Sequence, residues 1–136
     1  MESYDVLKVL SDKDSVGLFN EVSNKGSIDG ESLMSINGLT KKQYYTRVQR
    51  LAECGLIRRK SGKYSLTSFG RVIHDYKLKI ENAVAEYYLL KAVDSFNDSR
   101  EINSVQKKKL IETIVKDSTI KALLTEWDEI FWFYIN

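Results

Sequence analysis

Apolar residues recur at helical spacing along most of this chain, and the places where that spacing stops divide it into elements. From Asp12 to Asn24, Val16, Phe19 and Val22 step by three and Leu18 broadens the stripe. That pattern predicts a helix which Asp12 can cap and Lys25-Gly26 ends. Before it, Tyr4 to Leu10 carries Val6, Leu7 and Leu10, enough for a separate short turn of helix. Ser27 to Ile36 predicts a second short helix on Ile28, Leu33, Met34 and Ile36, with Gly30 as a weak point inside it. Asn37-Gly38 is a turn signal. Thr40 to Cys54 predicts a third helix. Thr40-Lys41-Lys42-Gln43 matches the T-x-x-Q capping box, and Gly55 supplies the left-handed residue that ends a helix. At about 100° per residue, Tyr44, Val48 and Leu51 share one face, flanked by Ala52. The opposite face carries Lys42, Gln43, Thr46, Gln49, Arg50 and Glu53, and Lys41, Tyr45 and Arg47 lie at the boundaries.

The period then changes. Leu56 to Lys60 and Lys63 to Leu66 are short β-like runs around Ser61-Gly62, which predicts a hairpin with a two-residue turn. Thr67 or Ser68 then caps a long helix from about Phe69 to Asp94. Its seam, Ile73, Tyr76, Ile80, Ala83, Tyr87 and Leu90, steps alternately by three and four residues, a heptad-like pattern. Ser95 to Ser104 is a polar connection. A last helical region covers about Val105 to Tyr134, with a break near Asp117-Ser118. Leu110, Ile111, Ile114, Val115, Leu123, Leu124, Trp127, Ile130, Phe131 and Tyr134 form its apolar side.

The expected fold is therefore mainly α with a small β-hairpin. Three helices followed by a two-stranded hairpin is the order of a winged helix-turn-helix, here with long C-terminal helices after it. The expected division is residues 1–70 as the winged part and 71–136 as a helical dimerisation region. The seam residues Ile73, Tyr76, Ile80, Ala83, Tyr87 and Leu90 are the dimerisation candidates. The competing arrangement is an intramolecular hairpin of the two long helices, and the two can coexist.

Charge sharpens the picture. From Lys41 to Lys63 there are eight Lys/Arg and one acid, Glu53, a local net of +7 in a chain whose total is +2, leaving −5 for the rest. A localised positive face in a nearly neutral protein is the electrostatic footprint of a nucleic-acid binder. The DNA major groove admits a helix whose amino-terminal residues reach base edges. Gln43, Thr46, Gln49 and Arg50 are the base-edge candidates, because amides and guanidinium can bond two groups on one base. Lys41, Lys42, Tyr45 and Arg47 are candidate phosphate contacts, with Thr40 at the helix start. Arg58, Arg59, Lys60 and Lys63 are the hairpin candidates, although alternation along a strand can turn one of them away.

The stretch LTKKQYYTRVQRLAECGLIRRKSGKYSLTSFG, Leu39 to Gly70, also resembles the winged-helix regulators of archaea related to the ArsR/MarR-like group. The shared pattern runs L-T-x-x-Q-[YF]-Y-x-R-[VL]-x-x-L-x-x-x-G-L-[IV]-x-R-[KR]-x-G-x-Y-x-L-T-x-x-G, and a looser match extends from about Phe19 to Leu90. The resemblance implies sequence-specific binding of double-stranded DNA in transcriptional regulation, usually as a homodimer. The pattern is specific for a fold and not for an operator or an effector. The aromatic end, EWDEIFWFYIN, is no part of it.

Other classes fit less well. A winged-helix module for protein–protein interaction in a larger assembly is the alternative, and it should expose apolar residues on its third helix. No phosphate loop, GxSxG or HExxH is present, so no enzyme is expected. Cys54 and His74 are the single cysteine and histidine, far apart, so neither an internal disulfide nor an ordinary structural zinc site is expected, and no cofactor. Cys54 reads as a small buried apolar residue, with redox sensing as the competing role. His74 reads as a surface or boundary residue, and Tyr44, Tyr64 and Phe69 as core. The N-terminus lacks the basic and apolar regions of a signal peptide, and no apolar run reaches the roughly 20 residues of a membrane span. A cytoplasmic, reducing compartment is the expectation. Trp127, Ile130, Phe131, Trp132, Phe133 and Tyr134 read as a core or dimer contact, since Glu126, Asp128 and Glu129 oppose anionic lipid.

Overall fold

The computed structural model describes residues 1–125. Trp127, Ile130, Phe131, Trp132, Phe133 and Tyr134, expected as the aromatic end of the last helix, lie outside the described residues.

Side-chain caps set the helix starts. Glu2 and Asp5 form a capping box at α1 (Ser3–Leu10). Asp12 opens α2 (Lys13–Lys25) by accepting from the Ser15 N–H at 3.1 Å. Asp29 opens α3 (Gly30–Ile36) by accepting from Ser32 N–H at 2.8 Å. Thr40 and Gln43 open α4 (Lys41–Glu53) with the reciprocal bonds the sequence predicts, 3.2 Å from Gln43 N–H and 3.0 Å from Thr40 N–H. Cys54 and Gly55 end α4, Gly55 at φ 71°. The predicted third helix is thus α4, because the Tyr4–Leu10 segment is a full helix of its own.

β2 (Ile57–Lys60) and β3 (Lys63–Leu66) form the predicted hairpin. Its turn residues Ser61 and Gly62 both have positive φ, 53° and 74°, as a type I′ turn requires. The segment before α3 departs from expectation. Ile28–Asp29 is a short strand, β1, and not the first turn of a helix. It pairs antiparallel with β3, Ile28 opposite Tyr64 and Asp29 opposite Lys63, giving a three-stranded sheet in the order β1-β3-β2. Burial of Ile28 beside Tyr64 and the capping role of Asp29 hold these two residues extended, so Gly30 starts α3 and does not interrupt it.

Leu18, Phe19 and Val22 of α2, Leu33 of α3 and Tyr44, Val48 and Leu51 of α4 meet Leu56, Ile57 and Tyr64 in one buried core, which Val6 of α1 closes. Each such side chain contributes roughly 1.5–3 kcal/mol of burial. The hairpin is locked to the next helix, α5 (Ser68–Ala85), through Thr67. Its N–H donates to Leu56 O at 3.1 Å, its hydroxyl donates to Gly55 O, and the same hydroxyl accepts from Gly70 N–H at 2.8 Å. Gly70 packs on the Leu56 carbonyl so closely that a Cβ there would overlap the oxygen and stand 2.9 Å from the carbonyl carbon. Phe69, expected in the core, is instead exposed, because its glycine neighbour takes the inward position.

The first compact unit is Met1–Lys77 and the second begins at Leu78, inside α5. The first turns of α5 belong to the core of the first unit: Ile73 packs against it, and His74 stands edge-on to Phe19 at 5.5 Å, with Nδ1 3.4 Å from the Ser23 hydroxyl.

The long helix expected from Phe69 to Asp94 is two helices, α5 and α6 (Tyr87–Asp98), separated at Glu86. Glu86 N–H still donates to Asn82 O at 3.1 Å and Leu90 N–H to Glu86 O at 2.9 Å. The interruption is slight, and the apolar spacing runs through it. In the second unit α6 packs on α7 (Ser104–Ile114), with Val93, Ile111 and Val115 buried and Ile120 and Leu124 against them. Asp117 accepts from the N–H groups of Thr119 and Ile120 where residues 118–125 become helical again, at the predicted break.

Candidate nucleic-acid interface

The core-facing residues of α4 fix which of its side chains are left outward. With Tyr44, Val48 and Leu51 buried, Lys41, Lys42, Gln43, Tyr45, Thr46, Gln49 and Arg50 are exposed, as is the cap residue Thr40. Burial pushes the Tyr44 phenol up to about 12, so it stays a neutral donor, and its hydroxyl reaches Gly30 O at 3.1 Å. Tyr45 is 52% exposed and meets the Tyr44 ring edge-on at 5.2 Å.

Several candidates already have local partners. Gln43 accepts the cap bond with Oε1, which leaves its amide hydrogens for other acceptors. The Thr46 hydroxyl donates to Lys42 O at 2.8 Å, and Gln49 Nε2 donates to Glu53 Oε1 at 2.9 Å. Arg50 borders a cleft of about 540 Å³ with Asp5, Lys8 and Cys54. Arg47 stands apart from the others. Its Nε donates to Asp12 Oδ2 at 2.8 Å, its Nη1 donates to Gln43 O at 3.2 Å, and its Nη2 lies 3.7 Å from Asp14. Its boundary position was legible in the sequence; its partners, on another helix, were not.

Register sorts the hairpin cations. Cross-strand partners share a face, so Ile57, Leu66, Arg59 and Tyr64 lie on the core side, and Arg58, Ser65, Lys60 and Lys63 on the other. Arg59 is thus the cation that alternation separates from the other three; it is exposed as well, with its guanidinium 5.7 Å from the Tyr64 ring centre. Arg58, Lys60 and Lys63 are exposed together on the outer face, Lys60 directly opposite Lys63. Like charges in that position oppose pairing. Asp29, opposite Lys63 on its other side, offsets part of the repulsion. The Ser32 N–H, then the Ser32 hydroxyl, with Lys63 nearby, hold the Asp29 carboxyl below its ordinary value. A cleft of about 440 Å³ is bordered by Tyr44 and Tyr45 of α4, Arg59, Gly62 and Tyr64 of the hairpin, and Asp29, so the start of α4 and the hairpin turn are neighbours.

Outside this region, Tyr76, Ile80 and Tyr87 of the expected dimer seam are 57%, 60% and 54% exposed, while Ile73, Ala83 and Leu90 are half-buried. Val72, Val84 and Tyr88 add to the exposed apolar surface of α5 and α6. Cys54 is half-buried beneath α1, its thiol 3.7 Å from Asp5 O. Burial, then the carboxylates of Asp5 and Glu53, push its pKa up, the reverse of what a reactive thiolate needs. Among the described residues no cluster of three or more His, Cys, Asp or Glu could hold a metal ion, and no helix is long and apolar enough to cross a membrane.

Compared with known proteins, the chain matches no family model, no curated protein and no solved structure.

Proposed function

We propose that this chain is a winged helix-turn-helix regulator that binds double-stranded DNA sequence-specifically as a homodimer, without enzymatic activity. In this reading α4 enters the major groove, the β2–β3 hairpin is the wing that lies on the backbone, and the exposed seam of α5 and α6 joins two copies. The observation that carries it is the outer face of the hairpin. Arg58, Lys60 and Lys63 stand together there, with two lysines facing each other across the strands, on a hairpin whose Arg59, Gly62 and Tyr64 border the start of an α4 with a polar and cationic outward side. A polyanion relieves that repulsion, and phosphates supply the charge. The protein-interaction alternative calls for an apolar outward face on α4; apart from Tyr45 and Ala52, the exposed residues there are polar or charged. Gln43 with a free amide end and Arg50 suit bidentate base contacts, whereas the cations of the wing suit register on the backbone.

Two-fold pairing of the seam would set two copies of α4 on half-sites of a roughly palindromic operator. The test selects a duplex from a random pool with the full chain, then compares it with random duplex by fluorescence anisotropy. The selected site should bind at least about 10³-fold tighter than random sequence, and Arg50→Ala should erode that ratio. Equal affinity for both duplexes contradicts sequence-specific regulation.

A further inference from the structure

We infer that Arg47 acts as a positioning residue, holding α4 in its reading orientation through Asp12 without itself contacting the nucleic acid. The inference rests on the DNA-binding reading and concerns how that reader is aimed. Arg47 is on α4, one turn after Gln43, yet its side chain is only 21% exposed. Its guanidinium bridges two helices: Nη1 donates to Gln43 O in the first turn of α4, and Nε donates to Asp12 Oδ2 at the start of α2. That same oxygen accepts from Ser15 N–H at 3.1 Å and from the Ser15 hydroxyl at 2.6 Å. Asp12 is therefore fixed as the cap of α2, whose Leu18, Phe19 and Val22 are rooted in the core. The start of α4, where the base-edge candidates begin, is thereby tied to the most buried helix of the unit. A phosphate approaching this guanidinium would meet the carboxylates of Asp12 and Asp14, both within 4 Å of it. Those charges repel an anion, and Nε and Nη1 are already engaged within the protein.

The salt dependence of binding separates positioning from contact. Each phosphate neutralised contributes about −0.9 to the slope of log affinity against log salt. The experiment measures that slope for the full chain on its selected duplex, with Lys42→Ala, Arg47→Ala, Asp12→Asn and the Arg47→Ala/Asp12→Asn double. Asparagine keeps the helix cap, so Asp12→Asn removes the ion pair without unseating α2. Positioning predicts that Arg47→Ala and Asp12→Asn each weaken specific binding about fivefold, that the double is no weaker than either, and that the slope stays as in wild type. The proposal is overturned if Arg47→Ala flattens the slope by about 0.9 while Asp12→Asn binds as tightly as wild type or tighter, because loss of a carboxylate beside a phosphate contact strengthens it. Failure of the underlying reading looks different: wild type itself then shows no selected site, and Lys42→Ala leaves the slope unchanged.

Discussion

Replacing Gly70 with alanine adds one methyl group to a helix, a change that ordinarily favours helix by up to about 1 kcal/mol. Here it should do the opposite. The new Cβ would overlap Leu56 O and lie 2.9 Å from its carbonyl carbon and 3.3 Å from its Cα. Carbon atoms pack best at about 3.5–4.0 Å. The obstacle is backbone, so no rotamer change relieves it. Either α5 or the Leu56 strand end has to move, and that carbonyl accepts from Thr67 N–H at 3.1 Å while Leu56 N–H donates to Leu51 O at 3.0 Å. Overpacking of this kind costs roughly 1–3 kcal/mol, and weakening one or two of those bonds adds about 1 kcal/mol each. After a helix-propensity gain of about 1 kcal/mol, the expected loss is about 1–4 kcal/mol. In urea, with an m-value of about 1.5 kcal/mol/M, the midpoint should fall by roughly 0.7–2.7 M. Gly30→Ala is the internal control. It is the same chemical change at the start of another helix, but its nearest neighbours are side-chain atoms at 3.7 and 3.8 Å, ordinary contact distances. It should leave stability unchanged or raise it by up to about 1 kcal/mol. A Gly70→Ala midpoint equal to or above wild type would refute the close approach of α5 to Leu56.

Three further outcomes follow from particular side chains. Ser61→Asn should raise the urea midpoint, by about 0.5–1 kcal/mol in stability, because asparagine tolerates the left-handed backbone that Ser61 adopts at φ 53°. The Asp12 carboxyl is held below its ordinary value, chiefly by the Ser15 hydroxyl and then by Arg47. Its contribution to stability is therefore present above the unfolded value of about 4 and is lost as pH falls through the lower folded value, so the gap between wild type and Asp12→Asn in denaturant should close as the medium is acidified. On the dimer, Ile80→Asp should convert a two-chain species to a single chain in sedimentation, and a wild-type mass of one chain contradicts dimerisation through this face.

What the sequence made legible followed from local chemistry. Thr40 and Gln43 announce the start of α4, Gly55 its end, and Ser61-Gly62 the hairpin turn, and each signal acts within a few residues of the structure it specifies. The parts that escaped depend on distant partners. β1 is two residues long, too short to show alternation, and is extended because Tyr64 lies beside Ile28. The break at Glu86 leaves the flanking helical bonds in place, so the heptad spacing continues across it. Arg47 has the sequence signature of a phosphate contact, a cation at the edge of an outward face. Asp12, its partner, is 35 positions away and looks from sequence like nothing more than a cap. Register, once β3 is paired, separates Arg59 from Arg58, Lys60 and Lys63, which composition alone treats alike.

In the proposed function, the outward side of α4 and the outer face of the hairpin form the DNA-binding surface. Titration of the selected duplex into the isotopically labelled chain, followed through backbone amide shifts, locates the surface that DNA contacts. The largest perturbations should fall on residues 40–50 and 58–63, and fade as salt is raised. Perturbations centred on the exposed faces of α5 and α6, with α4 and the hairpin unmoved, would contradict it.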